Sequence, residues 1–166
     1  MILVSHAIIG ASVARIFSSN PLVSFIIGVA THYAADALPH SQYHLNSLMH
    51  GEIGSRKKIF SKDMVRDIFL LALDGGLGIG VPLLLFWKSG DPASLVAICA
   101  GAFGGMFPDG LQFLKWILPS KVFGIHQRFH DWIHTKNELN EKSVFAASQQ
   151  ILIVMATVIL SGILSP

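Results

Sequence analysis

His32, Asp36, His40 and His44 recur at four-residue intervals in the segment THYAADALPHSQYH, residues 31 to 44. On a helix turning about 100° per residue, such neighbours lie nearly above one another, so His32 and Asp36 can aim an imidazole and a carboxylate at one point. Those two groups are metal donors. A second series, HQRFHDWIH at 126 to 134, repeats the interval with His126, His130 and His134. Helical zinc sites use paired His at this spacing because nitrogens one turn apart reach a shared ion. Two donors on one turn make half a site, so the others must come from elsewhere in the chain. The candidates are His6, in the N-terminal apolar run, and two carboxylates inside apolar stretches, Asp74 and Asp109. A carboxylate at the centre of a membrane helix costs about 2.5–3.5 kcal/mol, which a shared cation would offset. Cys99 is the single cysteine and lies in an apolar run, so disulfides and thiolate sites are excluded. Nitrogen and oxygen donors without sulfur suit Zn²⁺ best, with Mn²⁺ or Fe²⁺ as alternatives, and the donor number allows one to three ions.

Helices in lipid must position these groups. Hydrophobic residues make up 52% of the chain and charged residues 13%, with a mean hydropathy of +0.57, outside the range of soluble domains. Four stretches reach the roughly 17–25 residues needed to cross a hydrocarbon core: Pro21 to Leu38, Ile68 to Trp87, Ala93 to Leu118 and Val144 to Leu164. A fifth, Met1 to Phe17, is marginal. Its Ser12-Val13-Ala14 resembles a signal-peptide cleavage site, but it lacks a basic leader and carries His6, so it is read as retained. Pro39 disfavours helix at Leu38, so His40 and His44 are expected to begin a segment that folds back. Residues 126 to 134 read as a short amphipathic interfacial helix with Phe129, Trp132 and Ile133 toward lipid or protein. The expectation is an all-α polytopic membrane bundle of about five transmembrane helices plus that interfacial helix, one domain over residues 1–166.

Charge orients the bundle. If all five stretches span, Arg56, Lys57, Lys58, Lys62, Arg66, Lys115, Lys121, Arg128, Lys136 and Lys142 share one side, leaving Arg15 and Lys88 opposite. The positive-inside rule then makes the first side cytoplasmic, with the N-terminus inside and the C-terminus outside. All eight histidines, including His50, fall on or near that side, as do Asp36, Asp74 and Asp109. A polar cup open to the cytoplasm follows, in what is read as a plasma (inner) membrane protein.

Each element also has a plainer reading. His6 could hydrogen-bond near the headgroups, and His32 with Asp36 could be a buried ion pair. His40, His44 and His50 lie in a stretch expected to be solvated. Asp74 precedes Gly75-Gly76 and could cap a broken helix; Asp109 follows Pro108 and could be an N-cap. His134 is read as a supporting or surface residue. DGGLGIG at 74 to 80 resembles a phosphate loop only superficially, because no strand precedes it. Gly75, Gly76, Gly78, Gly80, Gly101, Gly104 and Gly105 are read instead as small faces for close helix packing, Gly101 and Gly105 at GxxxG spacing.

The order HAIIG, HYAADALPH, an Asp in an apolar helix, GGMFPDG and HQRFH resembles the bacterial membrane-bound proteins described as metal-dependent hydrolases. More remotely, HxxxD followed by further His is similar to the zinc-dependent phospholipase C and nuclease family, all-helical proteins with His and Asp ligands around a zinc cluster. That resemblance implies His6, His32, Asp36, Asp109, His126 and His130 as ligands. Where the membrane family typically has PDxD and HRxxTHS, this chain has Pro108-Asp109-Gly110-Leu111 and His126-Gln127-Arg128-Phe129-His130-Asp131. The expected activity is hydrolysis of a phosphoester, such as a phospholipid, at the cytoplasmic face. Asp109 and Arg128 are expected as catalytic groups, and His6, His32, Asp36, His40, Asp74, Asp109, His126 and His130 as metal ligands. Membrane lipid is the expected partner and nucleic acid is not. The alternatives are a divalent-cation or proton transporter, and an inactive metal-binding scaffold; the oligomeric state is left open.

Overall fold

The computed structural model describes residues 1–40, 45, 62–88, 91–117, 120–134 and 144–165. His44, His50, the basic run Arg56-Lys57-Lys58, Lys136 and Lys142 lie outside them. The described residues form six helices and no strand: α1 Leu3–Phe17, α2 Pro21–Asp36, α3 Lys62–Phe86, α4 Pro92–Ile117, α5 Lys121–Ile133 and α6 Val144–Leu164.

Local chemistry sets several boundaries. The side chain of Asn20 accepts from the amides of Leu22 at 2.9 Å and Val23 at 3.3 Å, and Pro21 follows at the first helical position, which together start α2. The helix stops at Asp36, shortly before Pro39. Ser120 starts α5 by accepting from the amide of Phe123 at 3.3 Å. Asp74, on α3, accepts from the amide of Val4 at 3.2 Å, so it caps α1, a neighbouring helix, rather than a break in its own. Pro108 does not interrupt α4, and Asp109 is therefore interior to that helix, not an N-cap.

Three helices are long and apolar enough to cross a membrane, over Lys62–Phe86, Pro92–Lys115 and Ala147–Leu164. The expectation of about five spans is met only this far. α1 and α2 have 15 and 16 residues, and at 1.5 Å per residue they reach about 22–24 Å against a hydrocarbon core of about 30 Å. α1 also faces inward, while α2 leaves Leu22, Val23 and Ile26 exposed. α1 is buried along most of its length from Ser5 to Ala14, whereas α3 and α6 expose Leu73, Leu77, Leu84, Ile151, Leu152 and Ile163 as a lipid-facing wall would.

Glycine brings the inner helices together. A methyl group added to Gly105 would collide with the carbonyl of His6 on α1, and one added to Gly104 with the carbonyl of Phe25 on α2. Reciprocally, Gly10 of α1 and Gly28 of α2 both press on the Gly101 carbonyl, so one glycine face of α4 receives two helices. Gly78 likewise packs on Met106 and Ala7. Gly75, Gly76 and Gly80 do not serve this purpose, because each faces open space. Ala7, Ala11, Ile98, Ala102 and Phe86 fill the adjoining core.

On α5, Val122, Ile125, Phe129 and Trp132 make an exposed apolar stripe, and Gln127 and His130 are buried on the other side. Phe129 packs edge-on against Tyr33 of α2 at 5.1 Å, which ties α5 to the bundle.

Candidate metal centre

The glycine contact at Gly105 aims the first donor. With α1 and α2 drawn onto α4, His32 Nδ1–H donates to the Gly105 carbonyl at 2.7 Å. A carbonyl only accepts, so Nδ1 carries the hydrogen and a neutral His32 presents a bare Nε2 lone pair. That nitrogen lies 3.1 Å from Asp36 Oδ2, 3.2 Å from His130 Nε2 and 3.7 Å from Asp109 Oδ1. His130 Nε2 lies 3.2 Å from the same Asp36 oxygen and 3.7 Å from the same Asp109 oxygen.

These distances have a simple meaning. Zn–N and Zn–O bonds of about 2.0–2.1 Å place tetrahedral ligands about 3.3–3.4 Å apart. Five of the six donor separations run from 3.1 to 3.7 Å and the sixth, Asp36 to Asp109, lies within 4.8 Å, a grouping that could hold one small cation. Without a proton or an ion between them, the facing nitrogens of His32 and His130 would oppose lone pairs. The four residues come from α2, α4 and α5, and their ligand atoms all lie within 4.8 Å of one another.

Asp36 is the hub. It is the last residue of α2, where the helix dipole is negative and disfavours a carboxylate, so cationic partners are required. Its second oxygen, Oδ1, faces His6 Nε2 at 3.1 Å, the Met1 ammonium at 3.4 Å and His40 Nε2 at 3.5 Å. Among the described residues His6 Nδ1 has no hydrogen-bond partner, and the ring packs against that of His32 with centroids 4.1 Å apart. His40 donates from Nδ1 to the Leu38 carbonyl at 2.7 Å, leaving Nε2 buried with no hydrogen-bond partner among the described residues. Burial, with the Met1 ammonium adding to it, pushes the His40 imidazole down to about 4 and keeps it in the neutral, metal-binding form. Asp36, His40 and His134 form a second group with ligand atoms within 4.8 Å of one another.

Not every candidate joins these groups. His126 Nε2 lies 3.1 Å from the Tyr33 hydroxyl, and burial, then the neighbouring His130 and His32, push its imidazole downward. Asp74 holds the first turn of α1, two residues before His6. Arg128 is exposed and donates from Nε to the Gly124 carbonyl at 3.4 Å. His6 touches Asp36 but belongs to neither the four-donor nor the three-donor group. Conversely, sequence reasoning gave His134 only a supporting role and overlooked Tyr33, the Gly105 carbonyl, the Met1 amine and buried Asp67. The unbroken four-residue interval from His130 was the available signal for His134. Asp67, one residue outside the predicted span starting at Ile68, carried none.

Among the described residues, access is one-sided. The side chains of His32, Asp36 and His130 are at most 4% exposed, whereas that of Asp109 is 23% exposed. The site is therefore closed by α2 and α5 and opens past Asp109. No family model, no curated protein and no solved structure matches the chain.

Proposed function

We propose that this protein is a membrane-embedded metal-dependent hydrolase acting on a phosphoester at the cytoplasmic face of the plasma membrane. In this reading α1 and α2 complete a five-helix bundle as short helices packed on α4, α1 also lying against the other two spanning helices. The observation that carries it is the convergence of His32, Asp36, Asp109 and His130 on one point, with the more exposed Asp109 on its open side. Catalytic ions keep an exchangeable position, and Asp109, longest in its separations and most exposed, is where exchange is easiest. An ion held there would lower the pKa of a coordinated water toward 7 and polarise a phosphoryl oxygen. Asp109, once exchanged for that water, would be placed to accept its proton as the water's oxygen attacks phosphorus and the ester P–O bond breaks. The departing oxygen would take a proton from Asp109 or solvent, while the Gly105 carbonyl and the surrounding imidazoles would hold His32 and Asp36. Lys62 and Arg66 in the first turns of α3, Lys115 in the last turn of α4 and Lys121 at the start of α5 would favour an anionic substrate if these ends share one side of the membrane.

The test is a phosphoesterase screen of the purified full-length protein with Zn²⁺ or Mn²⁺, on soluble phosphodiesters and on phospholipid vesicles. Hydrolysis that falls by about 10²–10⁴-fold in Asp109→Asn, as loss of a general base does, would support the reading. Ion flux into proteoliposomes with no hydrolysis of any substrate would replace it with transport.

A further inference from the structure

We infer that Asp36 bridges two cations, and that His40 and His134 hold the second. This rests on the metal-centre reading above and extends it from one ion to a pair. The two carboxylate oxygens face different donors: Oδ2 faces His32 and His130, while Oδ1 faces His40 Nε2 at 3.5 Å, with His6 Nε2 at 3.1 Å and the Met1 ammonium at 3.4 Å on the same oxygen. His40, His134 and Asp36 meet the same proximity condition as the first group, with ligand atoms all within 4.8 Å.

The two histidine series act as parallel ladders. Along α2 and its continuation, His32, Asp36 and His40 follow one another at four-residue steps; on α5, His130 and His134 do the same. The two series meet at both ends: His32 meets His130 with nitrogens 3.2 Å apart, and His40, eight residues on and past the end of α2, meets His134, four residues on, with ring centroids 4.9 Å apart. Asp36 stands between the rungs. His134 is held in place as the C-cap of α5, its amide donating to the His130 carbonyl at 2.9 Å, so the helix that supplies a ligand to the first ion also positions one for the second.

His40 supplies the independent pointer to a ligand. Its ring is buried, its Nδ1 hydrogen is committed to Leu38, and its Nε2 is aimed at the carboxylate with no hydrogen-bond partner among the described residues. Buried polar atoms are seldom left in that state unless an ion or ligand completes them. A carboxylate joining two ions holds them about 3.5–4 Å apart, the separation of two-metal hydrolytic sites. The Met1 ammonium lies on the same side of Asp36, so an ion binding there requires the amine to withdraw. With three protein donors, the second ion keeps an open position for water or a phosphoryl oxygen.

The experiment is Mn²⁺ loading of the full-length protein in detergent, followed by metal analysis and electron paramagnetic resonance. Two ions per chain and an exchange-coupled spectrum are expected for the wild type. His40→Ala and His134→Gln are each expected to retain one ion and to show the six-line spectrum of isolated Mn²⁺. A wild type that saturates at one ion, lost in His32→Ala but retained in His40→Ala, overturns the second site and leaves the first. A wild type that binds no ion overturns both. The wild-type stoichiometry and spectrum decide the matter even if a variant fails to fold.

Discussion

The two ends of α1 show two ways of placing polar groups in one apolar bundle. At the His6 end, imidazoles and carboxylates from four helices crowd to within 3.1–3.7 Å, mostly buried, several with no hydrogen-bond partner among the described residues. At the Arg15 end, a cavity of about 630 Å³ is lined by Arg15, Lys88, Asp91 and several serines. Its charges have ordinary partners: Arg15 Nη1 donates to Ser161 Oγ at 3.4 Å and lies 5.1 Å over the Phe86 ring, and Asp91 caps the amide of Ala93 at 3.1 Å. The contrast teaches what a buried polar cluster needs. At the Arg15 end Arg15 and Asp91 are met by neutral protein groups, whereas the donors at the His6 end converge as a group that could hold a cation.

Breaking the hub should have the largest effect. Asp36→Ala removes the carboxylate that faces His6, His32, His40 and His130 at once, and loss of one partner from a buried charged set destabilises by about 3–5 kcal/mol. The variant is expected to retain no ion by metal analysis and to melt well below the wild type.

Chelation should act next. If the His6 end is completed by a cation, saturating metal at about 100–1,000 times Kd stabilises by about 2.7–4.1 kcal/mol. The melting temperature is then expected to fall by roughly 5–16 °C with EDTA, on a scale of about 2–4 °C per kcal/mol for a chain of this size. A melt unmoved by chelator would remove the distinction between the two ends.

The packing beneath the site provides a sharper and smaller contrast. Gly105→Ala drives a methyl group into the His6 carbonyl and is expected to destabilise by about 1–3 kcal/mol, the range for overpacking, while weakening metal binding through His32. Gly75→Ala meets open space and is expected to be neutral or to stabilise α3 by up to about 1 kcal/mol through helix propensity. Paired melts and metal titrations check both. The smallest effect belongs to the opposite end: Arg15→Gln should lose no more than about 1 kcal/mol of hydrogen-bond and cation–π interaction and leave the ion content unchanged.

Much of the fold was legible in the residues. Val144 to Leu164 was read at its observed bounds, and the other apolar stretches agree with their helices except at the ends. The errors have physical causes. The apolar stretch begins at Ile68 whereas the helix begins at Lys62, because a helix continues through polar residues such as Lys62, Asp63, Arg66 and Asp67 beyond its apolar run. The glycines of α3 and α4 look alike in sequence, but only those facing another helix matter for packing. Asp74 and Asp109 were equivalent as acids in apolar runs, and rotation of their helices sends one to the α1 amide and the other to the His32 nitrogen.

By itself the sequence determined the membrane-like composition, the helical class and the two ladders of donors, because hydropathy and a four-residue interval are local properties read along one helix. The tertiary structure decided which donors meet. Convergence depends on how closely α1 and α2 approach the glycine face of α4, and on where the chain turns after Asp36 and at His134. Those are relations between residues as distant as Asp36 and His130, and no spacing along the chain encodes them.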